Sequence, residues 1–369
     1  MDKWYEINGI QEIDSPSLVL YKNHLEHNLK HILEMVNNQP DKLMLHVKTN
    51  KMPNVIAKCL VLGIKNFKAS TTSEAEMAAR TGAESVLIAH QLVGPKIERF
   101  FKLILTFPKT RFSTIVDNIE SVNMLNGFAI KLDLQTDIYI DINNGMNRSG
   151  IEAGNELYKL IDKINKCSNL LFKGLHLYDG HFRDSDFKVR KDKVENAFLD
   201  VTSIYNTLKK SFPNLQMVCG GTPSFTSHLS EPNRICSPGT CVFWDYGYSE
   251  KLIEQHFKFA VLIISRVISK PSKGIVTIDL GHKAVGAENP IDKRVRFLNL
   301  KDYELLSQSE EHGVLALDDD SQIAIGDVLY GVPYHICPTV NLYDEVSVIS
   351  EGKKIDTWEI TARRRKLTI

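Results

Sequence analysis

Short apolar runs alternate along most of the chain with stretches whose apolar residues recur at helical spacing. The first helix has one apolar side formed by Leu25, Leu29, Ile32, Leu33 and Val36. A longer helix repeats the pattern with Val194, Phe198, Val201, Tyr205 and Leu208. The apolar runs predict eight strands, near 43–47, 65–69, 85–89, 112–116, 137–142, 171–177, 215–219 and 233–236. Strands that alternate with helices form a parallel sheet in an α/β fold, and eight of them can close into a (β/α)8 TIM-like barrel.

The pattern changes near residue 255, where β-rich runs replace the helical ones. Residues 259–264 and 274–279 are apolar and β-branched, and a hairpin is predicted where 346–349 returns through Glu351-Gly352-Lys353 into 357–360. We therefore predict a barrel domain over residues 1–250 and a C-terminal β domain over residues 251–369.

Charge and composition narrow the possible partners. Lys plus Arg and Asp plus Glu both number 45 among the 369 residues, and no basic stretch stands out. Nucleic acid and anionic membrane are therefore not expected as partners, because both select a positive surface. The N-terminal residues lack the apolar core of a signal peptide, and the six cysteines show no paired spacing. These features predict a cytoplasmic protein with reduced thiols.

A lysine follows the first predicted barrel strand. Enzymes built on this barrel gather their chemistry just beyond the C-terminal ends of the strands. Lys48 lies at such an end, where a partly desolvated amine is a nucleophile that can form a Schiff base with an aldehyde cofactor such as pyridoxal 5'-phosphate. An exposed lysine in an ordinary strand-to-helix loop is the alternative interpretation.

Two glycine-threonine loops follow the seventh and eighth predicted strands. Gly221-Thr222 and Gly239-Thr240 can offer backbone N–H groups and hydroxyls to an anion. A helix start is expected near Pro223. Either loop alone is an ordinary turn, but two on adjacent strands predict a phosphate site, which barrels of this kind often place there.

Arg148 and Tyr178 lie at two further strand ends. The Arg148 guanidinium follows the fifth strand in a glycine-flanked loop, where it can bind an anionic oxygen or simply cap the loop. The Tyr178 hydroxyl follows the sixth strand and can bond a ring nitrogen or point to solvent. His176 and His181, judged singly, are interpreted as structural.

The β domain carries a candidate metal pair, His335 and Cys337. In an extended segment these residues share a face and present an imidazole and a thiol, which are ligands that zinc favours. Two ligands are fewer than the three or four of most zinc sites. Taken alone, such a pair is more often a coincidence; a catalytic site, however, can complete its shell with water and substrate.

Taken together, these segments resemble the metal-dependent D-threonine aldolase and D-serine dehydratase family, which has the alanine racemase type of pyridoxal phosphate fold. The resemblance rests on segments 14–19, 46–51, 145–150, 178–181, 220–223, 237–240 and 335–337. It implies that Lys48 binds the cofactor covalently, that Arg148 contacts the phenolic oxygen and that Tyr178 approaches the pyridine nitrogen. Gly221, Thr222, Gly239 and Thr240 are implied to hold the phosphate, and His335 and Cys337 a divalent metal, zinc or manganese.

The resemblance also implies a homodimer and a reaction on D-3-hydroxy amino acids. It further implies that roughly the first 15 residues, which precede the barrel, pack with the β domain. The family's lysine motif often reads Lys-Thr-His-Lys, and Asn50 replaces the histidine here. Retro-aldol cleavage to glycine and an aldehyde is the expected outcome, and elimination to a keto acid and ammonia is the alternative. Alanine racemisation would need a second base opposite Lys48, for which Tyr303, Tyr330, Tyr334 and Tyr343 are candidates. A non-catalytic pyridoxal phosphate carrier is less expected, because such carriers lack the β domain.

Overall fold

A computed structural model describes residues 3–369. Its helices, in chain order, are α1 Lys22–Met35, α2 Pro53–Val61, α3 Thr72–Thr81, α4 Pro95–Thr106, α5 Ile119–Leu132, α6 Asn155–Asn165, α7 Phe187–Ser211, α8 Tyr246–Ser249 and α9 Ile336–Val340. The first nine strands are β1 Ser17–Tyr21, β2 Leu45–His46, β3 Asn66–Ala69, β4 Ser85–Ile88, β5 Arg111–Val116, β6 Thr136–Ile142, β7 Leu170–Leu177, β8 Gln216–Cys219 and β9 Arg234–Cys236. The remaining strands are β10 Val261–Ser272, β11 Ile275–Ile278, β12 Val295–Phe297, β13 Tyr303–Gln308, β14 Gly313–Leu317, β15 Val328–Pro333, β16 Glu345–Ser350 and β17 Lys353–Glu359.

Strands β2 to β9 form one parallel sheet in sequential order, which confirms the eight predicted barrel strands. The two ends of this sheet meet. Leu43 forms an isolated parallel bridge with Cys236, and the backbone N–H groups of Met44 and His46 donate to the carbonyls of Cys236 and Pro238. The sheet is therefore nearly closed, and its C-terminal strand ends share one rim.

Apolar side chains fill the barrel and its helical layer. One buried cluster is formed by Met44, which lies just before β2, and by Leu87, Ile115, Tyr139 and Val218 from four other strands. The predicted apolar face of α7 is confirmed, because all five of its residues are buried. Most of the stability of such helices comes from this packing rather than from helix propensity.

The remaining strands form a second, nine-stranded sheet. Strand β1 lies between β10, to which it is antiparallel, and β16, to which it is parallel. The hairpin of β16 and β17 confirms the predicted turn, since Glu351 and Gly352 between the strands both have positive φ. Residues that precede the barrel, Ile7 and Ile13, are buried in the apolar cluster of this sheet.

The chain forms two compact units. One contains Ile32–Gly239 with Arg364–Ile369 and holds the barrel, and the other contains the chain up to His31 with Thr240–Arg363 and holds the nine-stranded sheet. The chain passes from the first unit to the second between Gly239 and Thr240. Among the described residues, no helix has the length and apolar character needed to cross a membrane.

Candidate active site

Lys48 lies two residues after the end of the short strand β2, on the barrel rim. The strand is held on both sides, because His46 N–H donates to the Pro238 carbonyl and Val47 N–H donates to the Lys68 carbonyl. The Lys48 backbone N–H lies 3.3 Å from Nδ1 of His46, and its side chain is exposed. Sequence analysis expected partial desolvation of this amine; the structure instead presents it openly at the mouth of the barrel.

The two glycine-containing loops lie side by side, as their strand order predicts. The backbone N–H of Gly239 donates to the Thr222 hydroxyl at 3.2 Å, which joins the loops after β8 and β9. Gly220 has a φ of 73°, in the left-handed region that glycine tolerates. No α-helix begins at Pro223: only a short 3-10 helix, Phe225–His228, follows, so the expected helix N-terminus is absent there.

A fully buried carboxylate supports the first of these loops. Asp179 accepts hydrogen bonds from the Ser224 hydroxyl at 2.6 Å and from the Gly221 N–H at 3.4 Å. Its other oxygen lies 2.7 Å from Nε2 of His228, whose Nδ1 lies 2.8 Å from the Arg234 guanidinium. Because a guanidinium only donates, Nδ1 accepts and Nε2–H donates to Asp179. This buried network holds the conformation of the loop that contains Gly221 and Thr222.

Arg148 and Tyr178 meet at the rim. The Arg148 guanidinium lies 4.6 Å from the centroid of the Tyr178 ring, within cation–π range. The loop that carries Arg148 is shaped by Asn143, whose side-chain oxygen accepts from the N–H groups of Gly145 and Asn147. The structure therefore brings together two residues predicted from different strand ends.

Sequence analysis assigned no role to Lys68 or Asp141 near this rim and interpreted His176 as structural. Lys68 is buried inside β3, and Asp141 and His176 form a buried pair across β6 and β7 with 2.7 Å between Oδ1 and Nδ1. Burial lowers the pKa of His176 although Asp141 opposes this effect. Burial would raise the pKa of Asp141, but hydrogen bonds from His176, Ser149 and Gln91 bring it below its usual value. The one sequence signal for Lys68 was a charge between Phe67 and Ala69 in an apolar strand.

The barrel rim suits an anionic cofactor. None of the described carboxylates forms an ion pair with Lys48, Lys68 or Arg148, whereas Asp141 and Asp179 are already bonded to histidines. Nε2 of His176 is buried without a hydrogen-bond partner, and so are both side-chain polar atoms of Asn144. Unsatisfied buried polar atoms are costly, and a bound polar ligand relieves that cost. The donor set therefore fits a phosphorylated aldehyde such as pyridoxal phosphate.

The candidate metal pair is not in an extended segment, so that expectation was wrong. Strand β15 ends at Pro333, His335 is the residue before α9, and Cys337 lies in the first turn of that helix. Pro338 explains the difference, because proline is tolerated in the first helical turn and disfavours a central strand. The His335 and Cys337 side chains nevertheless contact each other by a hydrogen bond.

Two carboxylates surround this pair. Nδ1 of His335 lies 2.5 Å from Glu288, and Asp245 accepts from the Ile336 N–H at 3.1 Å. Burial lowers the pKa of His335, but Cys337, Asp245 and Glu288 outweigh that effect and raise it to about 9. Burial raises the pKa of Asp245 to about 7, to which Cys337 also contributes. Since a carboxylate accepts, Nδ1 carries a hydrogen, which leaves Nε2 as the nitrogen that a metal would bind.

The side chains of this pair are suitable as the protein ligands of a metal site that keeps coordination positions open. An imidazole nitrogen oriented by a carboxylate and a thiol are suitable ligands for a divalent ion such as zinc. Within residues 3–369, no group of three or more His, Cys, Asp and Glu side chains is arranged to hold a metal ion. Water and substrate would therefore have to complete the coordination.

Comparison with known protein families places the chain. The family model "Alanine racemase, N-terminal domain" matches residues 21–247, and the model "Putative serine dehydratase domain" matches residues 260–349. The chain belongs to the alanine racemase N-terminal domain family. The matched range contains Lys48, Arg148, Tyr178 and both glycine-containing loops, and the second range contains His335 and Cys337.

Individual members of this family are similar to the chain over nearly its full length. A D-threonine aldolase of Arthrobacter sp is 26% identical over 96% of this chain and 94% of its own. A 3-hydroxy-D-aspartate aldolase of Paracoccus denitrificans is 27% identical over 95% of this chain and 92% of its own. The crystal structure of D-threonine aldolase from Filomicrobium marinum superposes with a TM-score of 0.88 and 26% identity, over 98% of this chain and 99% of its own.

Proposed function

We propose that this protein is a pyridoxal phosphate-dependent lyase of the D-threonine aldolase type, which cleaves D-3-hydroxy amino acids. The observation that carries the proposal is the hydrogen bond between Gly239 and Thr222, which joins two anion-binding loops on the rim that also presents Lys48. The choice of reaction is supported by the full-length similarity to proteins named as aldolases.

In this proposal the barrel residues bind and orient. Lys48 attaches the cofactor covalently, and Gly221, Thr222, Gly239 and Thr240 hold its phosphate. Arg148 contacts the phenolic oxygen, and Tyr178 approaches the ring nitrogen. When bound, pyridoxal phosphate withdraws electrons from a broken bond at the substrate's α carbon. The bond between the α and β carbons would break, the β-hydroxyl would lose its proton and become the aldehyde oxygen, and the α carbon would take up a proton to give glycine.

We assign the His335 and Cys337 side chains to a divalent metal, zinc or manganese. Such an ion supplies Lewis acidity toward the substrate's β-hydroxyl oxygen. Glu288 keeps the His335 ring oriented, and the ion must displace a proton from this imidazole at neutral pH because the pKa of His335 is raised to about 9.

D-serine dehydration is the second candidate function. It is favoured by the match of residues 260–349 to the serine dehydratase model, which covers His335 and Cys337. Racemisation has less support, because two of its four candidate bases are already engaged. The Tyr343 hydroxyl donates to the Ala284 carbonyl at 2.7 Å, and the Tyr303 hydroxyl accepts from the Phe297 N–H at 2.9 Å.

Product analysis tests the proposal. The purified protein, with pyridoxal phosphate and a divalent metal, is incubated with D-threonine and with D-serine, and glycine, aldehyde, keto acid and ammonia are measured separately. We expect glycine and acetaldehyde from D-threonine. Keto acid and ammonia would identify a dehydratase instead, and interconversion of D- and L-alanine alone would contradict both lyase assignments.

A lysine variant tests the covalent link. Lys48→Ala should abolish both turnover and the visible absorbance that borohydride fixes to the wild-type chain. Lys65→Ala is the matched control, because Lys65 is an exposed lysine of the same unit that pairs only with Glu84 on the surface. Colour that persists in Lys48→Ala and is still fixed to the chain would place the attachment elsewhere.

The proposal extends to a homodimer in the cytoplasm. The family resemblance supports the dimer, and the six cysteines, all free in the described residues, support a reducing compartment. Light scattering should return twice the chain mass of 41.8 kDa. A monomeric mass for the active protein would contradict the dimer.

A further inference from the structure

Lys68 is a buried cation with an unusual position. It lies inside β3, between Phe67 and Ala69, and only 2% of its surface is exposed. Lysine is rarely buried unless it is paired, because an ammonium group loses its hydration there. Its register partner across the sheet is His46, two residues before Lys48. The fold therefore places a second lysine beside the one proposed to bind the cofactor.

The Lys68 amine lies next to the anion-binding loops. Its Nζ is hydrogen-bonded to the Ser237 hydroxyl, which in turn lies 3.3 Å from the carbonyls of both Cys219 and Gly220. Nζ also lies 5.9 Å from the centroid of the Tyr178 ring. The amine is thus positioned between the base of the glycine-containing loops and the aromatic ring of the rim.

The charge of this amine is not paired with an anion in direct contact. Among the described residues, no carboxylate forms an ion pair with Lys68, and Nζ is hydrogen-bonded to a neutral hydroxyl. Burial and the charge of Lys48 lower the pKa of Lys68 to about 7, although the carboxylates of Asp179 and Asp141 oppose this effect. If Lys68 had only a structural role, an apolar residue of the same volume would stabilise the fold at least as well. The lysine is explained if an anion completes its surroundings.

We propose that Lys68 is a cofactor-binding residue that contacts an anionic oxygen of bound pyridoxal phosphate. The inference rests on the proposed function for the identity of the ligand, and on the position of Nζ for the contact. The anionic oxygen belongs either to the phosphate or to the ring. Both groups carry a negative charge that can pair with the Lys68 amine. Lys68 then supplies a cation in addition to Arg148 and Lys48.

Binding measurements with two variants test this contact. Lys68→Met removes the charge and keeps the volume, and Lys68→Arg keeps the charge. The dissociation constants of pyridoxal phosphate, pyridoxal and inorganic phosphate are measured on the full chain after removal of cofactor. Because a hydrogen bond to a charged group contributes about 1.5–3 kcal/mol, Lys68→Met should bind pyridoxal phosphate about tenfold to a hundredfold more weakly. Lys68→Arg should recover part of the loss.

The three ligands separate the two sources of the anion. Weaker binding of inorganic phosphate, with pyridoxal unchanged, assigns Lys68 to the phosphate. Weaker binding of pyridoxal, with inorganic phosphate unchanged, assigns it to the ring oxygen. Unchanged affinity of Lys68→Met for all three ligands would overturn the inference. If wild-type protein binds inorganic phosphate but never attaches pyridoxal phosphate, the proposed function fails while the phosphate comparison still tests Lys68.

Stability and pH separate binding from a structural role. Without ligand, Lys68→Met should be at least as stable as wild type, and a loss of stability together with affinity would assign Lys68 to the scaffold and overturn the inference.

The wild-type to Lys68→Met affinity ratio should fall as pH rises through about 7, because Lys68 then loses its proton. Other charged or titratable groups around Lys68 are common to both proteins and cancel in this ratio: Lys48, His46, Asp141, Arg148, His176, Tyr178, Asp179 and Cys219.

Discussion

The barrel rim and the His335–Cys337 segment are assembled in different ways. At the rim, eight strands in sequential order bring their C-terminal ends together, so residues from Lys48 to Gly239 converge through topology. The His335–Cys337 segment depends instead on local geometry: a strand ends at Pro333, a short helix begins at Ile336, and Glu288 reaches in from a distant loop.

Because of this difference, errors in the predicted secondary structure have different consequences at the two sites. A small misplacement of a strand boundary leaves the rim intact, because the order of strands still fixes the neighbours. The metal pair tolerates less, since a change from strand to helix alters which side chains share a face. In this protein the His335 and Cys337 side chains contact each other where the helical turn begins between them.

The largest expected effect comes from the buried carboxylate beneath the rim. Asp179→Ala should lower the free energy of unfolding by about 3–5 kcal/mol, because it leaves His228 and Ser224 without their buried acceptor. Cofactor affinity should fall as well, since the Gly221 N–H loses its partner. Chemical denaturation of the cofactor-free protein and cofactor titration measure the two effects.

A surface carboxylate of the same unit is the control. Asp162 is exposed on α6, so Asp162→Ala should change the free energy of unfolding by no more than about 0.5 kcal/mol. If Asp179→Ala were as mild, the network under the loop would not support it, and the rim would owe its shape to strand order alone.

Sequence reasoning predicted the elements at the rim but not the network that supports them. Strand and helix periodicity located all eight barrel strands, and the strand ends located Lys48, Arg148, Tyr178 and the glycine-containing loops. Lys68 escaped because a buried lysine and an exposed one look alike in a short strand. The Asp179–His228 contact escaped because it joins residues 49 positions apart, a pairing that one sequence does not encode locally.

The second prediction sharpens the comparison at the metal pair. Glu288→Gln should weaken metal binding about tenfold to a hundredfold, because the carboxylate orients His335 through Nδ1. Cofactor binding should not change. Cobalt titration, followed by the absorbance of the cobalt–thiolate bond, measures the affinity without recourse to activity.

Two controls define the result. Cys337→Ser should remove the cobalt–thiolate absorbance, and Glu304→Gln, an exposed glutamate on β13 of the same unit, should leave cobalt affinity unchanged. Wild-type cobalt affinity in Glu288→Gln would show that His335 needs no carboxylate to orient it. The geometry of the His335–Cys337 segment would then not depend on Glu288.

A pH effect at the rim is the third prediction. The pKa of His176 is lowered by burial, so the unfolded chain binds a proton that the folded barrel does not. Stability present above the unfolded value of about 6.5 is therefore lost as pH falls below it, with a slope of at most about 1.4 kcal/mol per pH unit for one histidine. His46, whose pKa is also lowered, adds to the slope.

Replacement of His176 isolates its share. His176→Gln keeps a donor for Asp141 and has no group that titrates near neutral pH, so the melting temperature should fall less steeply between pH 6.5 and 5 than in wild type. An equally steep fall in His176→Gln would assign the acid sensitivity to other groups.

The smallest effect is expected at the hairpin of the other unit, which tests whether a local turn there acts independently of both sites. Gly352→Ala should destabilise the protein by about 1 kcal/mol, because φ is 71° and an added Cβ is strained in the left-handed region. Gly127→Ala in α5 is the control with the opposite sign: nothing lies within 4 Å of its added Cβ, so alanine should stabilise that helix by up to about 1 kcal/mol. Thermal denaturation measures both changes, and neither variant should alter cofactor or cobalt affinity. A loss of cobalt affinity in Gly352→Ala would show that the turn helps to hold the His335–Cys337 segment.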